Sequence, residues 1–408
     1  MPLYLKFPAF LFLLFLGISS CNPKSTKEHT SIKPTNVNLP IENETKEIIV
    51  GAERMQEYIP LLQGKNVALV VNHTSMIKEK HLVDTLQNLN IGLKSIFAPE
   101  HGFRGSADAG ASIKDGIDEK SGLPVISLYG KNKKPSKTQL QGIDIVIFDI
   151  QDVGARFYTY ISTMHYVMEA CAENNIPVII LDRPNPNGHY VDGPVLEMEH
   201  QSFVGMHPIP IIHGLTVGEL AQMINGEEWL KGKIKCNLTI VKCENYDHDS
   251  FYELPIAPSP NLPNMKSIYL YPSLCLFEGT NVSIGRGTDK QFQVIGSPDF
   301  QGREYAFTPM PKAGAKYPKH EGKVCYGYDL SLINIKELQE KREFDLNFLL
   351  NFYKNSAKKP HFFIKNNFFT KLMGNKVTKQ EIINDRSIET IKKQWVKGIN
   401  NYKLKRKK

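Results

Sequence analysis

The chain has 408 residues, of which 41% are hydrophobic and 23% charged, with 29 Gly and 25 Pro. That composition is globular and excludes a disordered chain, a collagen-like repeat and a small disulfide scaffold. The formal net charge is +8, but Lys6 lies in a leader and Lys403, Lys405, Arg406, Lys407 and Lys408 form a basic terminus. The remainder carries too small an excess to suggest a groove for nucleic acid, and none is expected as a partner.

In chain order, residues 1–20 read as a signal peptide. Lys6 precedes the mainly apolar run from Phe7 to Ile18. At about 1.5 Å per residue such a run is too short to cross a ~30 Å hydrocarbon core, and it fits the apolar centre of an export signal. The run closes in Ile18-Ser19-Ser20-Cys21, which resembles the lipobox of bacterial lipoproteins. The resemblance implies lipid attachment at Cys21 and an exported, membrane-anchored chain facing the periplasm. A plain secretory signal is the alternative. Residues 21–46 are the lipidated Cys and a polar, flexible tether. The other cysteines, Cys171, Cys236, Cys243, Cys275 and Cys325, are widely spaced without a C-x-x-C, which argues against a metal cluster. Cys236 and Cys243 could pair across a hairpin; buried free thiols are the other reading.

From residue 66 the pattern alternates strand and helix. The apolar runs Val67–Val71, Leu93–Ala98, Val125–Leu128, Ile143–Ile150, Val178–Leu181 and Ile209–Ile212 predict strands covered on both faces. Helical stretches are expected near 78–89, 136–141, 157–174 and 216–226. This predicts an α/β fold, a Rossmann-like open and mostly parallel sheet with helices on both faces, over residues 47–234. Beyond it the rhythm changes. Leu238–Val241 reads as a strand, prolines punctuate 255–272, and a closing helical pattern leads to Trp395. A smaller α+β domain over residues 235–408, completing an active-site cleft, is expected.

In an open α/β sheet ligands bind beyond the carboxyl ends of the strands. The residues that follow the predicted strands are therefore the candidates. They include Asn72, then Glu100, His101 and Arg104, and Tyr129. Asp149, Asp152, Arg156 and Tyr158 follow the fourth strand, Asp182 and Asn185 the fifth, and His213 the sixth. Single members of this set, Asn185 beside its prolines among them, suit turn chemistry equally well. There is no G-x-G-x-x-G, no G-x-x-x-x-G-K-[ST], no H-E-x-x-H and no G-x-S-x-G, so no cofactor or metal is expected. A second dense segment runs from Phe277 to Asp289. Its glycines would let backbone N–H groups approach a ligand, and Arg286 could grip a carboxylate or sit in a local ion pair.

Four blocks carry a family resemblance. They are Glu100-His101-Gly102-Phe103-Arg104-Gly105, the run Asp149 to Tyr160, Asp182-Arg183-Pro184-Asn185-Pro186, and the run Glu278 to Thr288. Together, from about residue 47 to the C-terminus, they resemble the exo-acting β-N-acetylmuramidases. The resemblance implies a Rossmann-like domain joined to a smaller one with the site between them. It implies release of N-acetylmuramic acid from the non-reducing ends of peptidoglycan fragments, and a catalytic role for Glu100.

Glycoside hydrolysis needs an acid for the leaving oxygen and a second group facing the oxocarbenium-like centre. Desolvation by Phe103 or the facing domain would suit Glu100 as that acid. For the second group Glu278 and Asp152 lead, with Asp149, Asp182 and the sugar's own acetamido group left open. The lactyl carboxylate of the sugar calls for a cation, first Arg286, then Arg104 and Arg156. Asn72, His101, Tyr158, Asn185, His213 and Asn281 complete the substrate-binding set, and Tyr129, Tyr158 or Tyr160 could stack on the ring. A non-catalytic lipoprotein that binds cell-wall sugars, and a muropeptide amidase or esterase, are the alternatives.

Overall fold

The structure is a computed structural model that describes residues 46–103 and 115–407. Cys21, Arg104 and residues 1–45, where a signal peptide and a tether are expected, lie outside the described residues. Residues 46–408 form one compact unit.

Helix α1 (Met55–Leu62) leads into β1 (Asn66–Val71), followed by a small hairpin of β2 (Met76–Ile77) and β3 (Lys80–His81) and by α2 (Leu82–Asn88). Then come β4 (Gly92–Ala98), β5 (Gly116–Ile117), β6 (Pro124–Ser127), β7 (Ile145–Asp149), α3 (Tyr160–Glu173), β8 (Val178–Leu181), α4 (Val217–Gly226) and β9 (Leu238–Val241). The central sheet has the order β5-β6-β4-β1-β7-β8-β9. Every pair in it is parallel except β5 with β6. The alternation of side chains along each strand divides the core in two. Val67, Leu69 and Val71 face one layer with Tyr58 and Leu82, whereas Ala68, Val70 and Phe148 face another with α3 and α4. Both layers are dry, which is why these strands read as unbroken apolar runs.

The second half begins with α5 (Met265–Leu274), capped by Asn264 in a reciprocal pair with Ser267. A three-stranded antiparallel sheet, in the order β10-β12-β11, follows from β10 (Val294–Ser297), β11 (Tyr305–Phe307) and β12 (Cys325–Asp329). The helices α6 (Ile335–Lys341), α7 (Asn347–Lys354), α8 (Phe368–Met373), α9 (Val377–Ile383), α10 (Ile388–Lys393) and α11 (Val396–Arg406) complete the fold. Their apolar faces join the core layer of α3 and α4 rather than forming a separate core. Ser387 caps α10 by accepting the Thr390 N–H.

Two predicted elements are absent. Ile209–Ile212 is buried but not a strand; Ile212 makes only isolated bridges to Ala155 and Asp192. Pro208 and Pro210 lack the N–H groups a central strand requires. The place beside β8 is taken by β9, whose residues the sequence reading assigned to the second domain. Segment 136–141 forms turns and no helix.

Arg156 is the largest fully buried side chain among the described residues. Its Nη1 donates to Pro194 O (2.7 Å) and Ile209 O (2.9 Å), and its Nη2 to Leu372 O (2.9 Å) and Met373 O (3.0 Å). The guanidinium thus ties the loop after β7 to the last carbonyls of α8, a helix end that favours a cation. Burial pulls its pKa down to about 9. The expectation that Arg156 meets substrate is overturned, because its bonds run to the protein's own backbone. Arg156→Lys should lower the unfolding free energy in urea by about 3 kcal/mol or more, because one ammonium cannot serve carbonyls on both sides. An unchanged midpoint and slope would show that the clasp is dispensable.

Candidate active site

Beyond the carboxyl end of β4 a cleft of about 740 Å³ separates the two halves of the chain, lined by Glu100, Tyr129 and Thr159 from one side and Glu278, Arg286 and Lys319 from the other. Its size suits a sugar with part of its neighbour. Glu100 stands two residues past the end of β4. Its Oε2 accepts the Thr159 hydroxyl at 2.8 Å, and Thr159 is the N-cap of α3. The Tyr129 hydroxyl also reaches this carboxylate. Burial, and then the charge of Glu100, raise the Tyr129 pKa, so this phenol stays a donor.

Across the cleft the Arg286 Nε donates to Glu278 Oε1 at 2.7 Å. Each of these side chains keeps 24% of its surface accessible. Burial alone would raise the Glu278 carboxyl, but Arg286 and Lys319 outweigh it and hold the pKa below the usual range. Glu278 is therefore ionised. Lys319 spends its ammonium on the carbonyls of Phe277 (3.0 Å), Thr280 (2.7 Å) and Val282 (3.0 Å), pinning the loop that carries the pair. The glycines of this loop serve packing. Gly287 has φ +81°, and a Cβ there would lie 2.6 Å from Met310 O.

The remaining candidates divide. His101 and Tyr158 line a small recess next to the cleft, and the Tyr158 hydroxyl donates to Pro258 O at 3.0 Å. Tyr160 donates to the same carbonyl at 3.3 Å. These tyrosines, edge to face with ring centres 4.9 Å apart, are packed rather than stacked on open space. Asn72 is fully buried, and its Oδ1 accepts the N–H (2.9 Å) and hydroxyl (2.6 Å) of Thr74. Asn185 accepts Asn187 N–H and donates to Leu215 O, each at 2.8 Å. His213 is 1% exposed; its Nδ1 accepts the Leu215 N–H, and α11 covers it through Tyr402. Asn281 reaches Asp299 at 3.4 Å and is not among the residues lining the cleft. Asn72, Asn185 and His213 are thus taken up by neighbouring backbone groups, because polar side chains in turns satisfy local backbone groups first.

The carboxylates behave likewise. Asp149 is locked to Arg183 at 2.6 Å, and Asp182 accepts Thr216 Oγ1 (2.7 Å) and Gly218 N (2.8 Å) at the start of α4. Asp152 accepts Gly154 N at 2.7 Å, is 4% exposed and is not among the lining residues of the cleft. The cysteines Cys171, Cys236, Cys243, Cys275 and Cys325 are free thiols. Residues not singled out from the sequence also matter. Thr159 stood inside a recognised block. Phe203 sits at the tip of a turn closed between Ser202 and Gly205, stacked on Tyr166 with Lys133 Nζ 4.4 Å from its ring centre. Lys319 gave no signal, since its loop is an ordinary polar stretch.

Burial pushes Asp152 up to about 7 against the pull of two backbone amides. Its folded pKa thus exceeds the unfolded value. The folded state holds a proton the unfolded state has released, and the resulting stability fades between about pH 4 and 7. Relative to the native chain, Asp152→Asn should therefore gain stability as pH rises from 5 to 8, by on the order of 2–4 kcal/mol. Urea unfolding of both proteins at the two pH values measures this, and a difference independent of pH would show that Asp152 is ionised throughout.

Comparison with known proteins bears on the whole chain. Residues 67–266 match the N-terminal family model of the exo-beta-N-acetylmuramidase NamZ, and residues 269–408 match its C-terminal model. The peptidoglycan beta-N-acetylmuramidase NamZ of Bacillus subtilis is 40% identical, over 87% of this chain and 88% of that protein. A crystal structure of a DUF1343 family protein from Bacteroides fragilis has 47% identity and a TM-score of 0.82, covering 89% of this chain and 98% of that one. A second such protein from the same species has 31% identity and a TM-score of 0.72, with 88% and 97% covered.

Proposed function

This chain belongs to the exo-β-N-acetylmuramidase family and is an exo-acting glycosidase of peptidoglycan fragments; we propose that Glu100 is its general acid and Glu278 the ionised carboxylate that faces the developing positive charge. The observation that supports this reading is the placement of these two carboxyl groups on the walls of one cleft. Glu100 is oriented by Thr159 and Tyr129, and Glu278 is kept charged by Arg286 and Lys319. In this mechanism Glu100 gives its proton to the glycosidic oxygen as the bond lengthens. The sugar becomes oxocarbenium-like, Glu278 stabilises that charge, and water adds to the anomeric carbon, releasing a proton that returns to the carboxylate pair and restores Glu100 as the acid.

The terminal sugar is N-acetylmuramic acid at a non-reducing end. Its lactyl carboxylate meets Arg286, whose pairing with Glu278 leaves the outer edge of the guanidinium for a second acid group. Arg104 is a further candidate for that contact. Export, and attachment to a membrane through lipid on Cys21 with the enzyme facing the periplasm, would place it beside its polymer. Mass spectrometry of the mature N-terminus would find an acylated cysteine, and Cys21→Ala would release the protein into the soluble fraction; an unmodified N-terminus would sink this part.

The chain from residue 47 onward should release 4-nitrophenol from the β-N-acetylmuramic glycoside and not from the β-N-acetylglucosamine analogue. Glu100→Gln should lower kcat by about 10³-fold with KM changed only a few-fold. Near-normal turnover in that variant would remove Glu100 from the acid role. Arg286→Ala should weaken inhibition by free N-acetylmuramic acid at least tenfold more than inhibition by free N-acetylglucosamine. Equal weakening would show that another group reads the lactyl acid.

A further inference from the structure

Next to the cleft lies a recess of about 70 Å³ that shares Glu100, Phe157, Thr159, Tyr271 and Arg286 with it. Its far wall is apolar, with Leu262 1% exposed and Phe292 fully buried. Among the polar groups that also line it, two buried atoms stand out. Asn261 is 3% exposed and donates its Nδ2 to Gly314 O at 3.0 Å, yet its Oδ1 is buried without a hydrogen-bond partner. Arg286 binds Glu278 through Nε, while its Nη1 is buried and also unpartnered. An unmet acceptor and an unmet donor on one small cavity are costly unless something fills the site.

Asn261 cannot easily turn away. It occupies a tight turn closed between Ser259 and Leu262, and its own N–H is bonded to Ser259 Oγ at 3.3 Å. The hydroxyls of Tyr158 and Tyr160 are already committed to Pro258 O. Beside Glu100, His101 and the hydroxyls that also line it, the recess thus holds an unmet acceptor, an unmet donor and apolar side chains. An N-acetyl group has the matching set: an N–H, a carbonyl oxygen and a methyl.

We infer that this recess receives the 2-acetamido group of the muramoyl residue, with Asn261 Oδ1 accepting its N–H, Arg286 Nη1 donating to its carbonyl, and the methyl lying against Leu262 and Phe292. The assignment rests on the cleft being the muramoyl site. The chemistry of the sugar agrees with it. The acetamido and lactyl groups stand on adjacent ring carbons, so a single guanidinium that lines both cavities can serve both. Asn261 is then a specificity-determining residue for N-acylated sugars of acetyl size. At ~30 Å³ of liquid volume per water, the recess could instead hold two or so waters bridging the same atoms.

The test uses binding, so that any chemical part played by the acetamido group does not enter. Hydrolysis of the 4-nitrophenyl muramoside by the native enzyme is measured against free N-acetylmuramic acid, its N-butyryl analogue and 3-O-lactylglucose, which carries a hydroxyl in place of the acetamido group. The inhibition constants of the latter two should be at least 30-fold weaker than that of N-acetylmuramic acid. Asn261→Ala should shrink the ratio between N-acetylmuramic acid and 3-O-lactylglucose at least tenfold, and because it is a ratio, a general loss of folded enzyme cancels. Inhibition by all three within threefold in the native enzyme would overturn the inference and leave the recess to water. Absence of any muramoside hydrolysis would instead remove the premise on which it rests.

Discussion

The two halves of the chain meet at a buried cation, Arg156, that is paired with backbone carbonyls and with no carboxylate among the described residues. Arg156 holds four backbone carbonyls, two from the segment around Pro194 and Ile209 and two from the end of α8. Carbonyls can satisfy a guanidinium only if they are held at fixed positions around it, so the arrangement demands that both halves of the chain be in place at once. Gly374 shows how tight the demand is. It ends α8 with φ +83°, and a Cβ there would lie 2.6 Å from Arg156 Nη2. The segment that carries Arg156 continues through Tyr158 and Thr159 into α3. The clasp therefore also sets the position of the hydroxyl that orients Glu100.

The opposite wall of the cleft solves its electrostatics differently. There a carboxylate and two cations lie together, and each cation has a distinct task. Lys319 gives its three donors to three carbonyls of one loop, which fixes the loop and leaves its charge to act at short range on Glu278. Arg286 binds Glu278 directly and keeps part of its guanidinium unmet. A neutral carboxyl at this position could not stabilise positive charge at a sugar carbon, so the proposed role of Glu278 depends on the two cations that keep it ionised. The remaining buried carboxyls, Asp149, Asp152 and Asp182, are occupied by a salt bridge or by local donors, and they organise the rim instead of acting on substrate.

Much of the fold was legible because burial writes itself into the strands. β1, β4, β6, β7 and β8 were found as apolar runs, since a sheet covered on both faces needs apolar residues at successive positions. The same rule misled at Ile209–Ile212, where the burial is real but two prolines remove the ladder. It also left β9 outside the first half, because an edge strand is less buried and its pattern does not say which sheet it joins. Polar residues after the strands were harder. Asn72, Asn185 and His213 stand where a ligand site would draw them, yet each is consumed by a neighbouring backbone group. A turn and a binding site select the same short polar side chains, so the residue type alone could not separate the two.

Certain features belong to the sequence alone. Periodicity determined the open α/β sheet with a mixed second half, and the ordered blocks around Glu100, Asp149, Asp182 and Glu278 pointed to the family. Glu100 and Glu278, 178 positions apart in the chain, were both candidates there. Only the tertiary structure decided that these two line one cleft, that Arg156 is a clasp, and that Asn261 and Arg286 bring unmet polar atoms to the same recess. The physical reason is that a strand's burial is encoded in its own neighbours. A charge or a hydrogen-bond vacancy is defined by atoms far away in the chain, which meet only when the two halves pack.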